Sequence, residues 1–224
     1  MVYALTKLGA EILDPDSADL SGVDWAQKNR DVGRQYIDHA LAVTDLHAAL
    51  HHAARKRPEI TLIHDHQLIS AFPQPPASTD RPFKWKTQLT HNNEVHNVSV
   101  TPDCVFALHS PTISRRCYLA ECDRGTMIQK RSDFKQTSIE RKFSAYVQGY
   151  LLKFHEQQFG WKACRILFIA PTQQRADNSR RTLMDVTNSP SLRRVFYFTH
   201  VAAIMSDIFS LEWIDGNGEP QLLI

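Results

Sequence analysis

A carboxylate inside an otherwise apolar strand limits what a chain can fold into, and residues Thr101 to Thr126 carry three acids in such a setting. Asp103 lies on one extended run and Glu121 and Asp123 on the next, with Glu121 embedded in the apolar segment YLAEC. Residues two apart on a strand point the same way, so Glu121 and Asp123 share a face, and Asp103 can sit beside them across a hairpin. Like charges gathered on apolar strands repel and lose hydration, so the arrangement calls for a cation or for protons. Such a trio points to a divalent metal site. Taken singly, Asp103 after a proline also fits an ordinary turn acid, and Asp123 before Arg124-Gly125-Thr126 fits a residue that bonds turn amides. Glu121 has no such local explanation and needs a partner or a metal.

The flanking periodicity predicts the elements that carry these acids. From Tyr36 to about Ala54, Ile37, Leu41, Val43, Leu46, Leu50 and Ala53 recur near helical spacing. Extended stretches are expected at Ile60 to Phe72, Val95 to Leu108 and Cys117 to Asp123, the first two separated by the proline-rich break Pro73, Pro75, Pro76 and Pro82. A second helix is signalled by Thr137 with Glu140 in capping-box spacing and by the stripe Ile139, Phe143, Tyr146, Tyr150 and Phe154, ending at Gly160. Cys164 to Ala170 (CRILFIA) reads as a buried strand, Thr172 to Val186 as a polar-faced helix and Val195 to Thr199 as a further strand. The expected order is α-β-β-β-α-β followed by α-β.

At 224 residues the chain suffices for one sizeable α/β domain with a small N-terminal appendage, and its 42% hydrophobic content supports a packed core. No apolar run reaches the length of a membrane span or signal peptide, so a cytoplasmic protein with no membrane association is expected. Cys104, Cys117, Cys122 and Cys164 form no CxxC pair and are expected to be reduced, largely buried thiols. No GxGxxG, Walker loop, GxSxG or kinase signature is present, which removes the motif basis for hydride transfer, nucleotide hydrolysis and serine hydrolysis.

Net charge is only +2, yet Arg124, Lys130, Arg131, Lys135, Arg141 and Lys142 crowd together just after the acids. Cations flanking a carboxylate-held metal would offset the repulsion of an approaching phosphate backbone. Arg175, Arg180, Arg181, Arg193 and Arg194 extend the track, while Asp133, Glu140, Asp177 and Asp185 offer a solvated face with local partners instead. His47, His51, His52, His64 and His66 have spacings zinc can use but no companion CxxC or HExxH. Tyr146, Gln148 and Tyr150 share the second helix, and tyrosines at this spacing are normally core-facing with the hydroxyl at the rim.

The element order, with carboxylates on the second and third strands, resembles the restriction-endonuclease-like core of the PD-(D/E)xK nuclease superfamily. Pro102-Asp103 supplies the PD, and Glu121-Cys122-Asp123 takes the place of (D/E)xK. The resemblance implies a mixed central sheet flanked by helices, with Mg2+ or Mn2+ held by Asp103, Glu121 and Asp123. It also implies a lysine that polarises the attacking water. Asp123 occupies that lysine's place, which adds charge for a metal and removes a transition-state stabiliser. Lys142 on the following helix is the candidate replacement, ahead of Lys130 and Lys135.

YALTKLGAEIL at the start, DHALAVTDLHAAL, Pro102-Asp103, YLAECDRGT and RKFSAY together resemble the replication-relaxation family of plasmid and mobile-element proteins. Members of that family usually join a winged helix-turn-helix to the nuclease-like region. Here YALTKLGAEIL resembles only the wing strand and final helix, so residues 1–30 are expected to be a truncated winged-helix remnant and linker, and 31–224 the nuclease-like domain. Two functions follow from the resemblance. One is a DNA-binding accessory protein of replication or relaxation that uses the fold as a scaffold. The other is a Mg/Mn-dependent DNA endonuclease with Asp103, Glu121, Asp123 and Lys142 as catalytic residues and Arg124, Lys130, Arg131, Lys135 and Arg141 on the DNA. A relaxase or replication initiator is a candidate partner, and Leu5, Leu8, Ile12 and Leu13 are candidates for pairing in a homodimer.

Overall fold

The computed structural model describes residues 34–111 and 113–224, so the expected winged-helix remnant at 1–30 lies outside the described residues. The chain divides into two compact units, Met1–Leu41 and Ala42–Ile224, and apart from the start of the first helix the features that follow belong to the second.

A seven-stranded mixed sheet forms the centre. Helix α1 (Arg34–Arg55) leads to β1 (Thr61–His64) and a short α2 (Asp65–Ile69), then to the hairpin β2 (Trp85–His91) and β3 (Glu94–Val100). Strands β4 (Cys104–Ser110) and β5 (Ile113–Cys122) precede α3 (Ile139–Leu151), the single turn α4 (Phe154–Gln157) and β6 (Cys164–Ala170). Helices α5 (Gln173–Val186) and α6 (Pro190–Arg193) then lead to β7 (Phe196–His200), α7 (Val201–Asp207), β8 (Trp213–Asp215) and β9 (Pro220–Gln221). The spatial order is β1-β4-β5-β6-β7-β8-β9. Strands β1, β4 and β5 form an antiparallel meander, and β5, β6 and β7 run parallel because a helical crossover joins each pair. Without the inserted hairpin and the short helices α2, α4 and α6, the elements from α1 to β7 follow the expected α-β-β-β-α-β-α-β order, and α7, β8 and β9 extend it.

Alternation along the strands creates two cores. Val105, Ala107, Cys117, Leu119, Ile166 and Phe168 join Phe143 and Tyr146 of α3 and Leu183 of α5 on one face. Cys104, Phe106, Tyr118, Ala120, Leu167 and Tyr197 join Leu46 and Leu50 of α1 and Trp213 on the other. Strand β6 feeds both, which is why it is apolar without a break from Ile166 to Ala170.

Several local expectations are corrected. Ile60 to Phe72 is not one extended run, because residues Asp65–Ile69 turn into α2 with His64 at its N-cap and Gln67 closing a capping box. Val95 to Leu108 is two strands separated at Pro102, which has no N–H for a ladder. The first of these strands pairs with the unanticipated β2 in a separate two-stranded sheet, through Asn92 and Asn93, both left-handed at φ 49° and 63°. Two left-handed residues make the tight turn that hairpins favour. The cap of α3 is Ser138, one residue later than expected, whose hydroxyl accepts from the Arg141 N–H. That helix ends at Leu151 rather than Gly160.

The four cysteines are free and buried, and burial pushes the Cys117 thiol up to about 11. Among the described residues no helix is long and apolar enough to cross a membrane.

Candidate functional site: an acid pair around a lysine

The ladder brings Asp103 to Glu121. Cys104 pairs with Ala120 at the end of the β4–β5 ladder, and the Asp103 N–H also donates to the Ala120 carbonyl at 2.9 Å, which brings the Asp103 charge close enough to act on Glu121. The alternation that sends Val105 and Leu119 toward α3 sends Asp103 and Glu121 there too. One Asp103 oxygen is held in place by the Cys122 N–H at 2.9 Å.

Glu121 is only 1% exposed and meets two donors from α3. The Lys142 ammonium donates to Oε2 at 2.6 Å, and the Tyr146 hydroxyl donates to Oε1 at 2.5 Å. Lys142 and Tyr146 are four apart on one helix, so a single face presents both to the strand. The Glu121 carboxyl is pushed up to about 7, first by burial and also by the neighbouring Asp103 charge, against the downward pull of Lys142. Burial alone would lower the Lys142 pKa, but the fields of Glu121, Asp103 and Asp123 outweigh it and hold the ammonium above its ordinary value. Lys142 is therefore the contact cation of Glu121, with Asp103 and Asp123 acting on it at longer range. Its side chain remains 25% exposed, which leaves it an opening to solvent. The Tyr146 phenol is held protonated, pushed up by burial and by Glu121.

Asp123 follows β5 and has a partner of its own. Its N–H donates to the Ile169 carbonyl, and its carboxylate receives Arg175 Nε at 2.8 Å and Nη2 at 3.5 Å. The same guanidinium donates to the Met127 carbonyl, pinning the start of the loop that leads to α3. Arg175 reaches this point because Thr172 caps α5 by accepting the Arg175 N–H, placing the first turn over the end of β6.

The structure thus gathers Asp103, Glu121 and Lys142, and it ties Asp123 to Arg175. Among the described residues no set of three or more His, Cys, Asp or Glu side chains is arranged to hold a metal ion. The sequence places Tyr146 only among core-facing tyrosines and Arg175 only on a basic track, and assigns neither to the acids. The spacing Lys142-x-x-x-Tyr146 was available as a signal for the first; for Arg175 the signal is its position in the helix turn that follows a strand parallel to β5.

The basic residues between Asp123 and α3 divide by role. Arg131 donates to the Thr137 carbonyl at 3.0 Å and to Gln136 at 2.8 Å, and Arg141 donates to the Lys135 carbonyl at 3.1 Å while lying over Phe134. These two brace the loop. Lys130 pairs with Asp185 of α5 at 2.7 Å but stays about half exposed, and Arg124 and Lys135 are exposed. The histidines form a separate group. The rings of His51, His64 and His66 stack at 4.9 and 5.8 Å, and burial followed by the neighbouring histidines lowers the His64 pKa.

Comparison with known proteins matches the profile of the replication-relaxation family to residues 1–159. The chain belongs to the replication-relaxation family. Membership ties it to replication or relaxation, and the matched region contains Asp103, Glu121, Asp123, Lys142 and Tyr146. No curated protein and no solved structure matches the chain.

Proposed function

We propose that this replication-relaxation protein acts on DNA during plasmid or mobile-element replication or relaxation. Its core is a restriction-endonuclease-like fold, with Asp103, Glu121 and Lys142 forming a magnesium- or manganese-dependent phosphodiester-cleaving site. The observation that carries the reading is the Lys142 ammonium at 2.6 Å from Glu121, on the face that Asp103 shares. It puts a cation from α3 where Asp123 leaves the strand without one. The antiparallel meander β1-β4-β5 followed by the parallel crossover to β6 supports the fold assignment.

The donor set fits a hard divalent cation. Asp103 and Glu121 offer only oxygens, and the upward push of Asp103 on the Glu121 pKa is the repulsion that such a cation would relieve. A Mg2+ or Mn2+ ion held there would supply Lewis acidity toward a phosphodiester. The chain's own groups do the rest. Lys142 offsets negative charge developing at a phosphoryl group, Tyr146 orients Glu121, and Arg175 holds Asp123 beside them. Exposed Arg124, Lys130 and Lys135 offer charge to the DNA backbone along the approach to α3.

A second reading is favoured by the filled coordination of the acids. Both Glu121 oxygens and the Asp123 carboxylate already have protein donors, as a fold kept as a DNA-binding scaffold would allow. Incubating supercoiled and linear DNA with the protein and Mg2+ or Mn2+ separates the two. The first reading expects nicked or linear product from wild type, loss in Asp103→Asn and Lys142→Ala, and loss of the calorimetric Mn2+ signal in Glu121→Gln. DNA retained on the protein but uncut under every metal condition establishes the scaffold instead.

A further inference from the structure

A second charged cleft, of about 610 Å³, lies at the other end of the central sheet, where β5 begins and the loop before β6 arrives. Glu121 pairs with Phe168 near the end of the β5–β6 ladder, and Tyr118 pairs with Arg165 three residues earlier, about 10 Å back along the strand at the usual rise. Four cations line the cleft, Arg115, Arg116, Lys162 and Arg165, and no acidic side chain does. Arg165 is the informative one. Its half-buried guanidinium has Nε at 3.4 Å from the Tyr197 hydroxyl and Nη1 at 3.3 Å from the Cys164 carbonyl. The groups that act on it electrostatically are the phenols of Tyr197, Tyr150 and Tyr118. Among the described residues it has no carboxylate within ion-pair distance.

A guanidinium withdrawn from water without a counter-ion is costly, and phenol hydroxyls return only part of its hydration. Arg116 is partly engaged, donating to the Leu223 carbonyl at 3.2 Å, whereas Arg115 and Lys162 are exposed at the mouth. One carboxylate would leave three of the four positive charges unmatched. A multiply charged oxyanion matches them better, and the planar fork of arginine suits its oxygens.

We propose that this cleft binds a phosphate group, with Arg165 as its anchor and Arg115 and Lys162 as the charges that draw it in. The proposal is independent of the Glu121 site, which lies on a different stretch of the sheet. Two sources share the chemistry, a free or terminal phosphate, which carries more than one charge by itself, and successive diesters of a DNA strand, which carry one each.

The test is calorimetric titration of the full chain at constant ionic strength. The probes are inorganic phosphate and a short oligonucleotide with either a 5′-phosphate or a 5′-hydroxyl. Binding to any of these should weaken by about tenfold or more in Arg165→Gln and in the double variant Arg115→Gln/Lys162→Gln, through loss of charge-assisted hydrogen bonds and of the attracting charges. The double variant alters only exposed side chains, so it decides the matter if Arg165→Gln does not fold. Preference for inorganic phosphate and the 5′-phosphorylated strand identifies a free or terminal phosphate, and equal binding of the two strands identifies the diester. Affinities unchanged in the double variant, or heats no larger than those of chloride, overturn the proposal.

Discussion

At the residue scale, the chemistry centres on how Glu121 carries its charge. Its folded pKa of about 7 lies above the ordinary 4.5, so the folded protein keeps a proton that the unfolded chain releases across that interval. The stability linked to Glu121 is therefore fully present below about pH 4.5, declines as pH rises to about 7, and is level above that. Glu121→Gln removes the titrating group, and melting temperatures collected between pH 4.5 and 8 should show this part of the decline gone. An unaltered slope would mean that another group carries it. Lys142→Met leaves a buried carboxylate with the Tyr146 hydroxyl as its remaining side-chain donor. Breaking a buried pair costs about 3–5 kcal/mol, and partial exposure of Lys142 reduces this to about 2 kcal/mol at pH 8. At pH 5 the cost should be smaller, since a protonated Glu121 needs no cation. Urea unfolding at the two pH values checks both the size and the sign.

At the scale of elements, α3 links the site to the rest of the fold. Its inner face carries Phe143 into the core and presents Lys142 and Tyr146 to Glu121, while Gly149 lets it approach the β2–β3 hairpin closely. A Cβ at Gly149 would stand 2.5 Å from Trp85 Cε3 and 3.2 Å from Phe154 Cδ2. Trp85 is 1% exposed and packs edge-on against Tyr146, so it has little room to yield. Gly149→Ala should consequently destabilise the protein by about 1–3 kcal/mol in urea unfolding, overriding the gain of up to about 1 kcal/mol in helix propensity. A more stable variant would show that the hairpin is free to move away. The stripe that includes Phe143 and Tyr146 was readable as a helix because its period is local. The hairpin was not, since the left-handed turn at Asn92-Asn93 is a two-residue signal between strands of mixed polarity.

At the scale of the whole molecule, charge placement outweighs net charge. Nearly balanced totals coexist with a run of exposed cations after β5, next to the end of the sheet where Glu121 lies. If Arg124, Lys130 and Lys135 each contact a DNA phosphate, replacing all three with Gln should reduce the salt slope of DNA binding by about 2 to 3, at close to one unit per phosphate neutralised. Fluorescence titrations over a range of salt concentrations measure this, and an unchanged slope would place the DNA elsewhere. Arg131 and Arg141 are excluded from that set because they already hold the loop together.

What the amino-acid order determined alone was whatever depends on near neighbours. Alternation placed Glu121 and Asp123 on one side of a strand, the apolar run from Ile166 to Ala170 required cover on both faces, and helical spacing located α3 and α5. Family kinship was also legible there, since several motifs occur in a matching order. Only the tertiary structure decided how the charges pair. Lys142 could have faced solvent and Arg175 could have extended a basic track. Folding set one against Glu121 and the other against Asp123, because α3 and α5 both pack on the face of the sheet that carries those carboxylates. Charge pairing over 21 and 52 residues of separation is a property of packed layers, and no local pattern encodes it.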